Sequence, residues 1–499
     1  MIELKVKDVD ISSGGAMIAL LNFHDAKKFD LHHGDRIGII YGNKHVQAII
    51  DIAESETAAP EGSIGLFEEV LAELGIRNGY KVKIAIEPKP VSVHYIKEKL
   101  NGLKLSYEKI KSIISDVVEG KLSDIELTYF VSSAAIRGLD YKETVSLTRA
   151  IIETGETLSL RGKVIADKHC TGGVAGNRTT MIVVPIITAF GMKMPKTSSR
   201  AITSPAGTAD TMEVLAPVSL KKSRMERIVK KTGGCIVWGG AVNLAPADDK
   251  LIKVRSPMRI DAESQLLSSI LAKKKSVGAT HVLIDIPIGG ETKIPDKKEG
   301  NRIGKEFIKI GKGLGMKIEY ILSNGNEPIG NGIGPALEAK DVLKVLQRSD
   351  TMPFDLEKKS VMLAGRIFEM AGKCKRGRGE KTAREILDSG RAMKKMREII
   401  KEQGGNPDVK SSDIKVGKVI YDYTAKKSGI VRDVKNNVVS NTARFAGAPV
   451  DKEAGIYLYV HEGDRVKKGD KLITIHANSE EKLKFAKNFL IKSEGVEVR

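Results

Sequence analysis

The 499-residue chain is too long for a single hydrophobic core and implies several domains. Hydrophobic content of 41% supports ordinary cores, while 29% charged and only 5% aromatic residues mark an ion-rich globular protein, and no apolar run has the length of a membrane span. The net charge of +19 admits a nucleic-acid binder, but the cations are spread among acids and no aromatic stacking platform accompanies them, so the excess reads as solvated surface plus a cleft that attracts an anionic substrate.

The chain opens MIELKVKDVD, with no apolar signal region, which predicts a protein that is not exported. Residues 1–85 read as β-rich. Gly34-Asp35-Arg36-Ile37-Gly38-Ile39-Ile40 and Gly79-Tyr80-Lys81-Val82-Lys83-Ile84 each place an alternating strand after a turn. That repetition predicts a small barrel of two similar halves, without catalytic residues and suited to assembly. His32-His33 reads as a surface turn rather than a ligand pair.

Pro88-x-Pro90 marks a linker, after which the pattern turns helical. Ile110, Ile113, Ile114, Val117 and Val118 share one helical face, and Ser123-x-x-Glu126 and Asp140-x-x-Glu143 are capping boxes opening two further helices. Region 91–160 is therefore a helical domain, and Gly155 and Gly162 flank a connection suited to a hinge.

Residues 163–345 alternate strand and helix and 346–410 read as mostly helical, which together predict a mostly parallel α/β domain over 163–410. Val164-Ile165-Ala166 reads as a strand ending in the glycine-rich turn Asp167–Gly176. A buried helix, Met181–Phe190, follows, then a strand at Met192–Pro195, a second polar loop from Thr197 to Thr208, and a helix near Asp210–Leu215. Each loop carries what an anion needs. Gly172, Gly173, Gly176 and Gly207 allow close backbone approach, and Thr171, Ser198, Ser199, Thr203, Ser204 and Thr208 offer hydroxyls. Lys168, Arg178 and Arg200 offer charge, and a helix N-terminus follows each loop. Two such loops predict a site for one or two phosphates. Cys235–Trp238 and His281–Ile286 read as buried strands, Ile329–Glu338 as close packing leading into a helix, and Lys373–Gly379 as a solvated basic loop.

Before the His281 strand, Arg255-Ser-Pro-Met-Arg259-Ile-Asp261 leads into a helix over 262–275 that Asp261 is placed to cap. Leu266, Leu267, Ile270 and Leu271 form its apolar face. Gln265, Ser269 and Lys273 form a polar stripe, which lines a cleft or faces solvent. From about 415 to 499 the pattern is β again, with Gly463-Asp464-x-Val466-x-x-Gly469-Asp470 as a hairpin in a structural α+β domain. Cys170, Cys235 and Cys374 are far apart and odd in number, so a disulfide framework is excluded and a reducing cytoplasm fits. No spacing suggests a metal site, and no cofactor is expected.

Two of these motifs carry a family resemblance. Asp167-Lys168-His169-Cys170-Thr171-Gly172-Gly173-Val174 resembles the DKHSTGGV loop of thymidine and pyrimidine-nucleoside phosphorylases, and Ser198-Ser199-Arg200 with Gly207-Thr208-x-Asp210-x-Met212-Glu213 resembles their second signature. The longer N-terminal region is similar to that of the family's archaeal branch acting on AMP. This resemblance implies phosphorolysis of nucleoside 5′-monophosphates: AMP and phosphate give adenine and ribose 1,5-bisphosphate, with CMP and UMP as further substrates. It implies Asp261 as proton donor. It also implies Gly173, Ser199, Arg200, Ala201, Ile202, Thr203, Ser204, Thr208, Ser269 and Lys293 as nucleotide contacts, with Lys168 and Ser198 near phosphate. Ser269-Ile-Leu-Ala-Lys273-Lys274 resembles the base-contacting segment, and Arg255 is similar to the base-binding Arg. His169 is second in line for acid chemistry. Cys170 departs from the family's phosphate-binding Ser, and a thiol is the weaker donor. The resemblance further implies a cytoplasmic homodimer core, enlarged through the N-terminal domain, with no specific nucleic-acid partner. Cleavage of unphosphorylated pyrimidine nucleosides stands as the alternative enzyme, and a basic nucleic-acid-binding protein as the non-enzymatic one.

Overall fold

A computed structural model describes residues 1–201, 204–255 and 262–499. The described chain forms two compact units, one of residues 1–155 with 245–272, the other of 156–244 with 273–499.

The first unit begins with a closed barrel. Its strands are β1 (Ile2–Asp8), β2 (Ile18–Asn22), β3 (Arg36–Tyr41), β4 (Lys44–Ala53), β5 (Ser63–Leu66) and β6 (Lys81–Glu87), in the order β1-β5-β2-β4-β3-β6. Short helices α1 (Phe23–Lys28) and α2 (Glu68–Leu74) connect them. The twofold repetition read from the sequence is real. β3 and β6 are equivalent strands and pair antiparallel with each other. The turn before each uses a glycine with φ of +87° at Gly34 and +88° at Gly79, a conformation that costs a residue with a Cβ. Gly34 N donates to Ile50 O at 2.9 Å and Gly79 N to Val6 O at 2.8 Å, the same bond in each half. The interior is apolar, from Leu4 and Val6 through Ile37, Ile39 and Ile84.

Four helices follow: α3 (Val91–Leu100), α4 (Tyr107–Val118), α5 (Asp124–Arg137) and α6 (Tyr141–Glu153). Both expected capping boxes form. Ser123 Oγ accepts from Glu126 N at 3.3 Å, and Asp140 Oδ1 accepts from Glu143 N at 2.9 Å. Ile110, Ile113, Ile114 and Val117 are buried among these helices. Ala245, Ala247, Leu251 and Ala272 join the same core, so the chain leaves the α/β unit after Leu244 and re-enters it at Lys273.

The second unit holds five parallel strands: β7 (Ala166–Cys170), β8 (Met194–Ser198), β9 (Gly234–Trp238), β10 (His281–Ile288) and β11 (Lys317–Asn324). β10 pairs with β7 and β11, β8 pairs with β9, and the Ile165–Lys193 bridge joins the two ladders. The unit's connecting helices are α7 (Thr180–Ala189), α8 (Thr208–Glu213), α9 (Lys222–Thr232) and α12 (Lys297–Gly313), whereas α10 (Pro246–Arg255) and α11 (Glu263–Ser276) as far as Ala272 belong to the first unit. α7 is apolar on every side and almost wholly buried, as a helix inside a large core must be. The short strand β12 (Gly332–Ile333) leads to α13 (Pro335–Leu346), α14 (Phe354–Met370), α15 (Gly379–Asp388) and α16 (Arg391–Gln403). The basic loop before α15 is tied down, because Glu369 Oε1 accepts from Gly377 N at 2.8 Å and Gly379 N at 3.0 Å.

The C-terminal part contains β13 (Val419–Thr424), β14 (Gly429–Val434), α17 (Asn436–Phe445), β15 (Gly455–Leu458), β16 (Arg465–Val466), β17 (Lys471–Ala477), α18 (Glu480–Ser493) and β18 (Val496–Val498). Its sheets run β12-β15-β17-β13 and β16-β14-β18 around a core of their own.

Candidate active site

Parallel strands of an open α/β sheet bind ligands at their carboxyl ends, where the loops after β7 and β8 emerge from neighbouring strands. The first loop starts later than its sequence suggests. Asp167, Lys168 and His169 belong to β7, whose ladder with β10 runs from Ala166–His281 to Cys170–Asp285. Charges inside a strand resemble a loop in sequence; they are tolerated here because each is neutralised at close range.

Two buried clusters do this, each with two lysines to one aspartate. Asp167 Oδ1 lies 3.2 Å from Lys196 Nζ of β8, and its Oδ2 lies 3.0 Å from Lys274 Nζ of α11. Burial pushes the Asp167 carboxyl up, but the two ammoniums outweigh it and hold it below the usual range. On the other face of β7, Asp285 Oδ2 lies 3.8 Å from Lys168 Nζ and 3.2 Å from Lys359 Nζ of α14. Ser323 donates to Asp285 Oδ1 at 2.6 Å, and Lys168 donates to Thr179 Oγ1 at 2.8 Å. Burial holds the Lys168 ammonium below its ordinary range. Lys196, Asp285 and Lys359 were absent from the sequence-based site, and Asp167 and Lys274 entered it only within quoted motifs, without a role of their own. Their signal was available: a lone acid inside the apolar run HVLIDIPI, or a lysine inside MKMPK, is costly unless paired.

Beyond Cys170 the first loop bends tightly. Gly173 has φ +89°, and a Cβ there would sit 2.9 Å from Thr292 Cα and 3.2 Å from Lys293 N. Gly173 and the exposed Lys293, two of the expected contacts, are thus brought together. The Thr171 hydroxyl is shielded from solvent with no hydrogen-bond partner among the described residues. Burial raises the Cys170 thiol's pKa, so it stays protonated, and Asn177 Nδ2 donates to its Sγ at 3.4 Å. His169 is held well below its ordinary pKa by burial and by Lys274, Lys196, Lys168 and Lys293. A neutral imidazole is a poor proton donor, which counts against His169 as the acid.

The second loop is wrapped around a carboxylate. Asp210 Oδ2 accepts from Ala201 N at 2.7 Å and Gly207 N at 2.9 Å, capping the six-residue α8 from within. A Cβ on Gly207 would fall 2.5 Å from Ser199 O. Arg200 donates to both oxygens of Glu213, at 2.8 and 2.7 Å, and to Asp210 Oδ1 at 3.1 Å, with its guanidinium over Trp238. Arg178 is buried against Glu338, Thr211 and Ala206 O. All three cations assigned to the loops, Lys168, Arg178 and Arg200, therefore already face protein carboxylates. Ser198 ends β8 opposite Trp238, and Ser199 and Ser204 are exposed beside a half-buried Thr208.

Ser269 belongs to the first unit, where it is buried and donates to Asp248 Oδ2 at 2.6 Å. Gln265 is buried too, so these members of the helix's polar stripe are not solvent-exposed. Arg255 ends α10 and is buried. Ile202, Thr203 and Asp261 lie outside the described residues.

The described chain thus combines a helical bundle, a parallel α/β unit with two polar loops at its strand ends, and a C-terminal α+β part, and its matches to known families place it among the glycosyl-transferring enzymes of the pentosyltransferase and phosphorylase class. Residues 93–155 match the helical bundle domain of the glycosyl transferase family, 162–393 its a/b domain, and 430–493 the pyrimidine nucleoside phosphorylase C-terminal domain. Anthranilate phosphoribosyltransferase from Thermus thermophilus shares the fold, with TM-score 0.52 at 18% identity over 62% of this chain and 98% of that one. The AMP phosphorylase of Pyrococcus furiosus is 44% identical over 479 residues, 96% of this chain and 94% of that protein. That of Methanococcus maripaludis strain C6 is 42% identical over 502 residues, covering 99% and 98%. The chain belongs to the AMP phosphorylase family.

Proposed function

We infer that the chain catalyses phosphorolysis of nucleoside 5′-monophosphates, AMP and phosphate giving adenine and ribose 1,5-bisphosphate, with CMP and UMP as further substrates. Near-full-length similarity to AMP phosphorylases carries this reading. A phosphate oxygen bonds to ribose C1′ as the bond from C1′ to the base nitrogen breaks; the base keeps the electron pair and takes a proton. The sugar passes through an oxocarbenium-like state, as in glycoside cleavage. The loop after β7, with Gly173, the unpartnered Thr171 hydroxyl and neighbouring Lys293, and the loop Ser199–Thr208 hold the phosphates in line with C1′. Ser198 and Lys168 act nearest phosphate, and Ser269 on the nucleotide. Asp261 is the proton donor, which requires a carboxyl kept protonated by its surroundings. The protein works as a cytoplasmic homodimer, enlarged through the barrel. Assay with AMP, adenosine and thymidine at saturating phosphate tests the reading. AMP turnover with release of adenine, at least about a hundredfold above either nucleoside, is expected, since the 5′-phosphate contributes binding realised in the transition state. Preference for thymidine overturns it. Asp261→Asn is expected to bind AMP while losing about 100-fold or more in kcat.

A further inference from the structure

The cluster at Asp167 carries more positive than negative charge. Lys196 and Lys274 are 4% and 3% exposed and Asp167 is fully buried, so two amino groups share one carboxylate with little water to balance a second positive charge. On β7 Asp167 alternates with Lys168 and shares a face with His169; on β8 Lys196 shares a face with Ser198, where the second loop begins. Lys274 covers that face. No other acid relieves the excess among the described residues. β9 brings Cys235, a thiol pushed up to about 12 by burial, and α7 brings no ionisable side chain. Asp210 and Glu213 of α8 are engaged by Arg200, and Lys293 adds a further cation near His169. Lys168 lies on the opposite face with Asp285 and Lys359. A buried ammonium with half a counter-ion sheds its proton readily and regains it when an anion arrives.

We propose that Lys196, Asp167 and Lys274 form a proton-linked anion receptor: a phosphate group bound at the loops draws a proton onto Lys196, which thereby helps position that group. The inference rests on the phosphorolysis reading, because it takes the occupant to be free phosphate or the 5′-phosphate of the nucleotide. Burial, partly opposed by Asp167 and reinforced by Lys274, brings Lys196 down to about 7, so at pH 8 the neutral form prevails in the empty protein.

Inorganic phosphate, AMP and adenosine are titrated separately into the full chain at pH 8, where phosphate is mostly dianionic, in two buffers of different ionisation enthalpy. Uptake of a large fraction of one proton with phosphate or AMP and none with adenosine is expected, and the ligand that takes up the proton is the occupant. Lys196→Arg, which keeps the charge permanently, should bind with no uptake; Lys196→Met should weaken the same ligand with no uptake. KM for that ligand should rise about tenfold from pH 8 to pH 9 in the parent and stay flat in Lys196→Arg. AMP turnover accompanied by ligand binding without proton uptake, or by uptake unchanged in both variants, overturns the linkage alone. Absence of AMP turnover overturns the functional reading and this inference with it.

Discussion

The barrel and the carboxyl edge of the parallel sheet bury their side chains in opposite ways. Inside the barrel, Leu4, Val6, Ile37, Ile39, Ile50 and Ile84 belong to one apolar cluster, and stability there comes from apolar area removed from water. At the sheet edge, Asp167, Lys168, Lys196, Lys274, Asp285 and Lys359 are buried with four lysines to two carboxylates. Replacing a buried ion pair by apolar residues is often neutral or stabilising, so folding alone does not call for such an edge. The contrast separates a region held together by apolar area from one that buries charge beyond what folding alone calls for.

The sharpest way to break this contrast is Asp167→Asn, which takes the shared carboxylate away from the buried Lys196 and Lys274. We expect a loss of about 3–5 kcal/mol. Urea unfolding followed by the single tryptophan, Trp238 of β9, reports it directly. An unchanged midpoint would mean the charges are not coupled. Ile39→Ala in the barrel should cost about 3 kcal/mol, seen as faster amide exchange in β3 and β6, while AMP turnover stays at the parent level. A matching fall in turnover would erase the division between the two regions. Gly207→Ala forces a Cβ against Ser199 O and should add about 1–3 kcal/mol of strain to the second loop, lowering kcat/KM for AMP at least tenfold in a folded protein. The smallest effect concerns acid. Hydrogen bonds from Arg200, opposed by burial and aided by Lys452, bring Glu213 down to about 2 from an ordinary 4.5. Its folded pKa is depressed, so its contribution is complete above pH 4.5 and disappears as pH falls towards 2. Glu213→Gln should flatten the dependence of melting temperature on pH across that window and leave it unchanged above pH 5.

Fold was readable wherever hydrophobic periodicity matched a single element. The barrel's repeated turn-and-strand motif, the capping boxes at Ser123 and Asp140 and the apolar α7 all follow local rules that tertiary contacts do not override. The end of β7 was not readable, because Asp-Lys-His looks like a turn unless Lys196, Lys274, Asp285 and Lys359 are known to be adjacent. Those partners lie between 29 and 191 residues away in sequence, and no local window joins Asp167 to Lys196 or Lys168 to Lys359. The same holds for the loop cations. Arg178 and Arg200 looked free for a ligand, but Glu338 is 160 residues from the first and Glu213 lies one helix beyond the second. Glycine positions were more faithful guides. Gly173 and Gly207 were singled out for backbone approach, and each is packed where a Cβ would collide.

The loop after β7 is also stitched to the end of the chain. Ala175 N donates to Asn436 Oδ1 at 3.1 Å, and Asn436 Nδ2 donates to Gly325 O at 3.1 Å. Leu458 N donates to Asn331 O at 2.7 Å, and Lys452 reaches Glu213 at 2.7 Å. The last eighty-odd residues are consequently a brace rather than an appendage. A miniaturised version stopping near residue 415 would lose the struts that set the curvature of the first loop, and grafting the loop sequence alone onto another scaffold would not transplant its shape.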